Sequence, residues 1–170
     1  MNITIRPFRD ADAGDISTIV CRNLREVNSK DYASDVIEDL VCRFTPDKIM
    51  RFSREREMFV AEADGRVVGT ASLARDNRTQ DEKYVCLTVF VLPECHGAGI
   101  GKRLMERVEE AARSRGAKVL QVPASLTALP FYRKRGYAED ESAPFDPKEG
   151  DVWMIKALGG SEGSNSLPTA

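Results

Sequence analysis

The sequence predicts a single mixed α/β domain of the α+β kind, with helices inserted after its first strand. Three observations predict it. Helix-period segments follow a short alternating stretch near the N-terminus, and an Asp64-Gly65 dipeptide separates two β-rich runs. A run of β-branched residues then leads through a glycine-rich turn into a long amphipathic helix. At 170 residues the chain is long enough to bury one substantial core.

Each element has a local cause. Residues 3–8 alternate apolar and polar side chains, as a half-buried strand does. Residues 10–15 supply capping aspartates for a helix over 16–27. A second helix is expected over 34–44, capped by Ser34. A third, over 45–56, has Thr45 as N-cap, Pro46 at the first helical position and Asp47 in the first turn. The period then drops to two. Residues 57–63 and 66–74 flank Asp64-Gly65, whose two residues both tolerate positive φ, so a tight hairpin is predicted.

After a polar loop, residues 83–92 are apolar almost throughout and read as a central strand covered on both faces. A helix opening at Gly99 places Ile100, Leu104, Val108 and Ala111 on one face, and Gly116 stops it. Residues 117–124 form another strand. Residues 126–136 form a helix ended by Gly136, with Pro130 confined to its first turn. Residues 137–145 and 151–158 suit a last antiparallel pair. The final stretch, 159–170, lacks the apolar content to pack and is expected to be a flexible tail behind a domain spanning 1–158.

Composition excludes several function classes. With 42% hydrophobic residues, 31% charged residues and a net charge of −2, the chain lacks the basic surface that nucleic-acid binding requires. No apolar run reaches the roughly 20 residues of a membrane-spanning helix. The N-terminus carries charges where a signal peptide would be apolar, so a cytoplasmic address is expected. The four cysteines form no Cys-x-x-Cys pair, and the single histidine, His96, cannot complete a zinc site, so no metal is expected. Cys21, Cys42 and Cys86 stand among apolar neighbours, as buried thiols do.

The stretch PECHGAGIGK, residues 93–102, carries the chemistry. A strand, a glycine-rich turn and a helix N-terminus together present backbone N–H groups without intrahelical partners, and the helix dipole adds positive potential. Glycines at 97, 99 and 101 let an anion approach those donors. Lys102 and Arg103 oppose the dipole and are better explained by a bound anion than by helix stability. A Walker A loop would need Gly at 96 and Ser or Thr at 103. A dinucleotide fingerprint beginning at Gly97 would need Gly or Ala at 102. Both spacings fail. An activated, nucleophilic thiol at Cys95 would need an orienting base, for which His96 is the sole candidate.

Three segments resemble the GNAT superfamily of N-acetyltransferases. VFVLPECHGAGIGKRLM is similar to its acetyl-CoA-binding motif, SLTALPFYRKRGYAE to its segment with a catalytic tyrosine, and ITIRPFRDADAGDI to its opening strand and turn. They occur in the family's order, and the resemblance spans about residues 2–158. It implies a mixed central sheet of about seven strands, splayed at the fourth and fifth, with four to five helices around it. Acetyl-CoA would be the cosubstrate. Its pyrophosphate would lie on His96, Gly97, Ala98, Gly99, Ile100, Gly101 and Lys102, and its pantetheine arm along Val89, Phe90 and Val91, with Ser125 nearby. Tyr132 would protonate the departing thiolate after a neutral amine attacks the acetyl carbonyl.

This chain departs from the family pattern in several places. His96 replaces the usual Gln or Arg, Ala98 replaces a basic residue with Lys102 and Arg103 as substitutes, and Ser125 replaces an Asn. Where some relatives carry a Glu base, Val85 stands. Glu62, Asp81 and Glu82 read as solvated strand-end charges, so no base is assigned. Residues 133–135 read as a solvated basic face that could also meet the ribose phosphate of CoA. The acceptor is expected to be an amine of a small molecule or peptide. An acidic stretch over 138–151 would favour a cationic one. Neither nucleic acid nor membrane is expected as a partner, and a homodimer is compatible with the sequence. The alternative reading is a non-catalytic acyl-CoA-binding or regulatory module on the same fold.

Overall fold

The computed structural model describes residues 2–76, 83–143 and 150–159. Strand β1 (Ile3–Pro7) is followed by helices α1 (Ala13–Glu26), α2 (Ser34–Val41) and α3 (Pro46–Glu55). Strands β2 (Glu57–Ala63), β3 (Arg66–Asp76) and β4 (Lys83–Val91) come next, then helix α4 (Ile100–Ser114). Strand β5 (Val119–Ala124), the short helix α5 (Leu129–Arg133) and strands β6 (Ala138–Glu139) and β7 (Val152–Ala157) complete the order. The sheet runs β1-β2-β3-β4-β5-β7-β6, antiparallel except for β4 and β5. That one parallel pair needs a crossover, and α4 provides it.

Alternation along β2 separates two apolar layers. Met58 and Val60 pack with Ile16, Val20 and Leu24 of α1, and with Ile37 and Ile49 of the next two helices. Phe59 and Ala61 face the other way, into a layer with Leu104, Met105 and Val108 of α4. Helices α1–α3 therefore cover one face of the sheet and α4 the other. The buried carboxylate of Glu109 ties α4 to the sheet edge, accepting from the Tyr137 hydroxyl at 3.0 Å and from Lys156 at 2.9 Å.

The hairpin forms as expected: Asp64 and Gly65 have φ of 48° and 82°. Helix α4 begins after Gly99 at φ 79°, and Gly116, at φ 77°, follows its end. Pro46 opens α3 behind Thr45, although no side-chain cap bond forms there. Ser34 is the first helical residue of α2 and not its cap. Ala33 holds the extended cap geometry, and the Asp35 carboxylate accepts the Val36 amide instead. Asp12 precedes α1, but its carboxylate is committed to Arg6 at 2.8 Å and to the Arg9 amide at 2.7 Å. Burial resists the ionisation of Asp12, yet the Arg6 and Arg9 contacts hold it below the ordinary carboxylate range.

The cysteines also differ from expectation. Cys86 is buried, but Cys21 and Cys95 are half-buried and Cys42 is exposed. Apolar neighbours in sequence do not imply burial at a helix end, which is where Cys42 sits. Strand β7 lies between β5 and β6, so the last antiparallel pair is joined to the sheet through its later strand. Residues 160–170, most of the expected tail, fall outside the described residues.

Candidate active site: a cleft where two parallel strands part

Strands β4 and β5 pair over two positions only, Tyr84 with Leu120 and Val85 with Gln121. Beyond them the strands separate, and residues 86–91 keep an edge facing β5 with no partner strand. Two local features accompany the separation. Between β3 and β4 the register passes from Thr70 with Phe90 to Ser72 with Leu87, so β4 carries one extra residue there. At this bulge Thr88 takes φ 55°, a conformation that a β-branched residue adopts only at a cost. On the other strand, Pro123 has no N–H to contribute to a ladder. The expected full cover of β4 therefore holds only at Val85 and Cys86. Val85 and Cys86 are buried, while residues 87–91 are half-buried and line a cleft of about 890 Å³.

Most of the residues expected to act together are brought together here. Val89, Phe90, Val91, His96, Gly97, Gly99, Ile100, Gly101, Lys102, Ser125 and Tyr132 all line this cleft; Ala98 does not. The loop amides divide into two sets. Those of His96 and Ala98 are spent on the carbonyls of Pro93 and Cys95. Those of Gly97, Gly99, Ile100, Gly101 and Lys102 have no partner among the described residues, and no side chain caps the helix. A Cβ added at Gly97 or Gly99 would meet nothing within 4 Å, so both face open space. The geometry suits a phosphate: several free donors at a dipole's positive end beside an open volume.

Side chains refine this picture. His96 is exposed and its Nε2–H donates to the Val91 carbonyl at 2.8 Å, an oxygen that also accepts from the buried Asn23 amide at 2.7 Å. Both lone pairs of that oxygen are thus used, and Val91 has no carbonyl capacity left for a ligand. His96 braces the loop against the strand. A glutamine can donate to the same oxygen, so His96→Gln is expected to keep acetyl-CoA affinity within about threefold, as titration calorimetry would show. Arg103 points away, donating to the Ile3 carbonyl at 2.7 Å, which leaves Lys102 as the loop's cation. The basic trio 133–135 splits likewise. Arg133 pairs outward with Glu139, whereas Lys134 and Arg135 line the cleft.

Of the adjacent aromatics on α5, Tyr132 is the buried one. Its ring stands edge-on to Phe131 at 5.1 Å and Tyr137 at 5.7 Å. Phe131 packs over Gly101, where an added Cβ would come within 2.8 Å of its ring, and carries the Arg135 guanidinium at 3.8 Å. The Tyr132 hydroxyl makes no hydrogen bond among the described residues. Burial pushes its phenol well above the ordinary value, and the charge of Asp151 adds to this. The group stays protonated at neutral pH and can serve as a donor, not as a base.

Several lining residues carried no sequence signal. Tyr32 accepts the Leu126 amide at 2.8 Å and donates to the Gly150 carbonyl at 3.3 Å. Thr127 donates to Asp31 at 2.6 Å, so the chain between α1 and α2 is tied to the start of α5. Asp151 is the one carboxylate among the described lining residues, beside Arg43, Arg56, Lys102, Lys134 and Arg135. Val85 is buried and apolar, Glu62 pairs with Arg6 at 2.8 Å, and Asp81 and Glu82 lie outside the described residues. No group of three or more metal-ligating side chains occurs among the described residues. No described helix is long and apolar enough to cross a membrane.

Comparison with known proteins agrees with this fold. The sequence model of the Acetyltransferase (GNAT) domain matches residues 28–149. The chain is 34% identical over 103 residues to an IAA acetyltransferase of Azospirillum brasilense, covering 58% of this chain and 66% of that protein. It is 35% identical over 88 residues to a glucosamine 6-phosphate N-acetyltransferase of Trypanosoma brucei brucei, covering 50% and 60%. The matches thus span less than two thirds of these relatives. In fold it is similar to PaiA N-acetyltransferase of Thermoplasma acidophilum in complex with coenzyme A. That likeness has a TM-score of 0.77 at 20% identity, over 92% of this chain and 99% of that one.

Proposed function

The chain belongs to the acetyltransferase (GNAT) family, and from that premise we propose that it moves an acetyl group from acetyl-CoA directly to a primary amine of a small molecule or peptide. One observation carries this reading. A single cleft joins five free amides at a helix N-terminus, an unpaired strand edge and a buried, protonated phenol. The amides of Gly97 and Gly99–Lys102 would hold the pyrophosphate, with Lys102 adding charge, and the open edge of β4 would hold the pantetheine arm. Lys134 and Arg135 suit the remaining phosphate. The cosubstrate supplies an activated acetyl thioester, and Tyr132 donates a proton to its leaving sulfur.

The amine must reach the carbonyl unprotonated. Asp151, which also engages another group, adds negative potential to the cleft, and the ammonium loses its proton to solvent. Four unpaired cysteines suit a reducing compartment, in line with a cytoplasmic address. The test is release of CoA thiol from acetyl-CoA across a panel of primary amines. At least one amine should raise the rate well above hydrolysis and appear acetylated by mass spectrometry. Binding of acetyl-CoA with no amine-dependent release would instead support a non-catalytic acyl-CoA-binding module.

A further inference from the structure

The cleft extends beyond the stretch assigned to acetyl-CoA, toward the face of the sheet covered by α1–α3. Its wall there is aromatic: Phe44 stands edge-on to both Phe52 and Phe90, with ring centroids 6.1 Å apart in each pair. Within this wall sits one cation with unmet charge. The Arg56 guanidinium lies over the Phe52 ring at 4.2 Å and donates to the Thr88 hydroxyl at 3.2 Å. No carboxylate lies within ion-pair distance of it among the described residues. Burial lowers its affinity for the proton, against the opposing charge of Glu55. Removing a guanidinium from water without an anion is unfavourable, and a bound carboxylate would relieve that cost.

Position gives the cation a role. Thr88 is the bulged residue at which β4 leaves its register, so Arg56 is anchored where the strand edge opens. A carboxylate held there would sit beside the segment that accommodates the thioester arm, with its neighbouring amine at the same place. Arg43 also lines the cleft but already engages another group. One guanidinium balances one negative charge and offers a fork that fits a carboxylate. Of the acids that suggested a cationic acceptor, Asp151 lines the cleft, but two at the start of that stretch are placed otherwise. Glu139 pairs with Arg133, and Asp140 accepts from Gln121 and Ser142. The residues 144–149 of that stretch lie outside the described residues.

We infer that the acceptor is an amine bearing a carboxylate and an apolar side group, with Arg56 binding the carboxylate and Phe44, Phe52 and Phe90 enclosing the side group. This rests on the transferase reading above, so its test is a binding measurement that needs no turnover. N-Acetyl-L-phenylalanine and N-acetylphenethylamine, which differ by the carboxylate, are titrated calorimetrically into the full chain saturated with CoA. The carboxylate probe should bind at least tenfold more tightly. Arg56→Gln should reduce that ratio to below about threefold by weakening the carboxylate probe alone, while Arg56→Lys should retain part of it. CoA affinity, measured in parallel, reports that each variant is folded. Equal affinities in the unmodified protein, tighter binding of the neutral probe, binding of neither probe, or a ratio unmoved by Arg56→Gln would each overturn the inference. A tenfold preference without any amine-dependent thiol release would count against the transferase reading and leave the carboxylate site standing.

Discussion

Tyr132→Phe should lower kcat by about 100-fold or more, the usual worth of a positioned general acid, while acetyl-CoA affinity stays within about threefold. The two outcomes separate because of how the ring is held. Phe131 and Tyr137 contact the aromatic body of Tyr132, which phenylalanine preserves, whereas the hydroxyl has no protein partner among the described residues. Losing an unpartnered hydroxyl removes no native bond, so thermal stability should hold or rise slightly. The pH profile adds a second readout. Burial raises the phenol pKa, so its proton-donating form persists to higher pH than that of a free tyrosine. Any fall in kcat below about pH 10 therefore belongs to another group. An unchanged kcat in the variant would remove Tyr132 from the chemistry.

Gly99→Ala should weaken acetyl-CoA binding by at least tenfold, beyond what its effect on folding explains. Gly99 is left-handed at φ 79°, where an L side chain costs about 1–2 kcal/mol. In a chain of this size that corresponds to a melting temperature lower by roughly 2–8 °C. The added methyl would also project into the open space beside five free amides and hold a phosphate away from them. Each charge-assisted hydrogen bond lost there is worth about 1.5–3 kcal/mol. Gly116→Ala is the control. It has nearly the same backbone geometry, φ 77°, equally open surroundings and a place beyond the far end of the same helix. It should lower the melting temperature similarly and leave binding unchanged. Equal loss of affinity in both variants would mean that the effect on Gly99 acts through stability alone.

The sequence was most informative where a residue's own backbone preference sets the geometry. Asp64-Gly65 marked a hairpin, Thr45-Pro46 a helix start, and the glycines at 97 and 99 the turn before α4. Such features depend on a few adjacent residues, so they can be read without the rest of the chain. Spacing was likewise enough to reject the Walker and dinucleotide loops. It was not enough to separate the amides of His96 and Ala98 from their neighbours, because those are consumed by turn carbonyls that come within reach only in the folded loop. Nor could it show that Arg103 turns to the first strand, a hundred residues away.

The bulge at Thr88 was hidden for a physical reason. A threonine within a β-branched run looks like regular strand, and its left-handed turn emerges only where β4 slips by one residue against β3 and the Arg56 side chain meets its hydroxyl. The end of the cleft toward α1–α3 is a stronger case. Asn23, Tyr32, Arg56 and Asp151 come from four separate segments, and each is unremarkable beside its own neighbours in sequence. The sequence by itself determined the order of elements, the glycine-rich turn before α4 and the family. Tertiary structure alone decided which donors remain free among the described residues, which aromatic of the Phe131–Tyr132 pair is buried, and that Arg56 stands in an aromatic wall with no described carboxylate beside it. These depend on contacts between residues far apart in the chain, where burial and pairing are properties of the assembled fold and not of any local pattern.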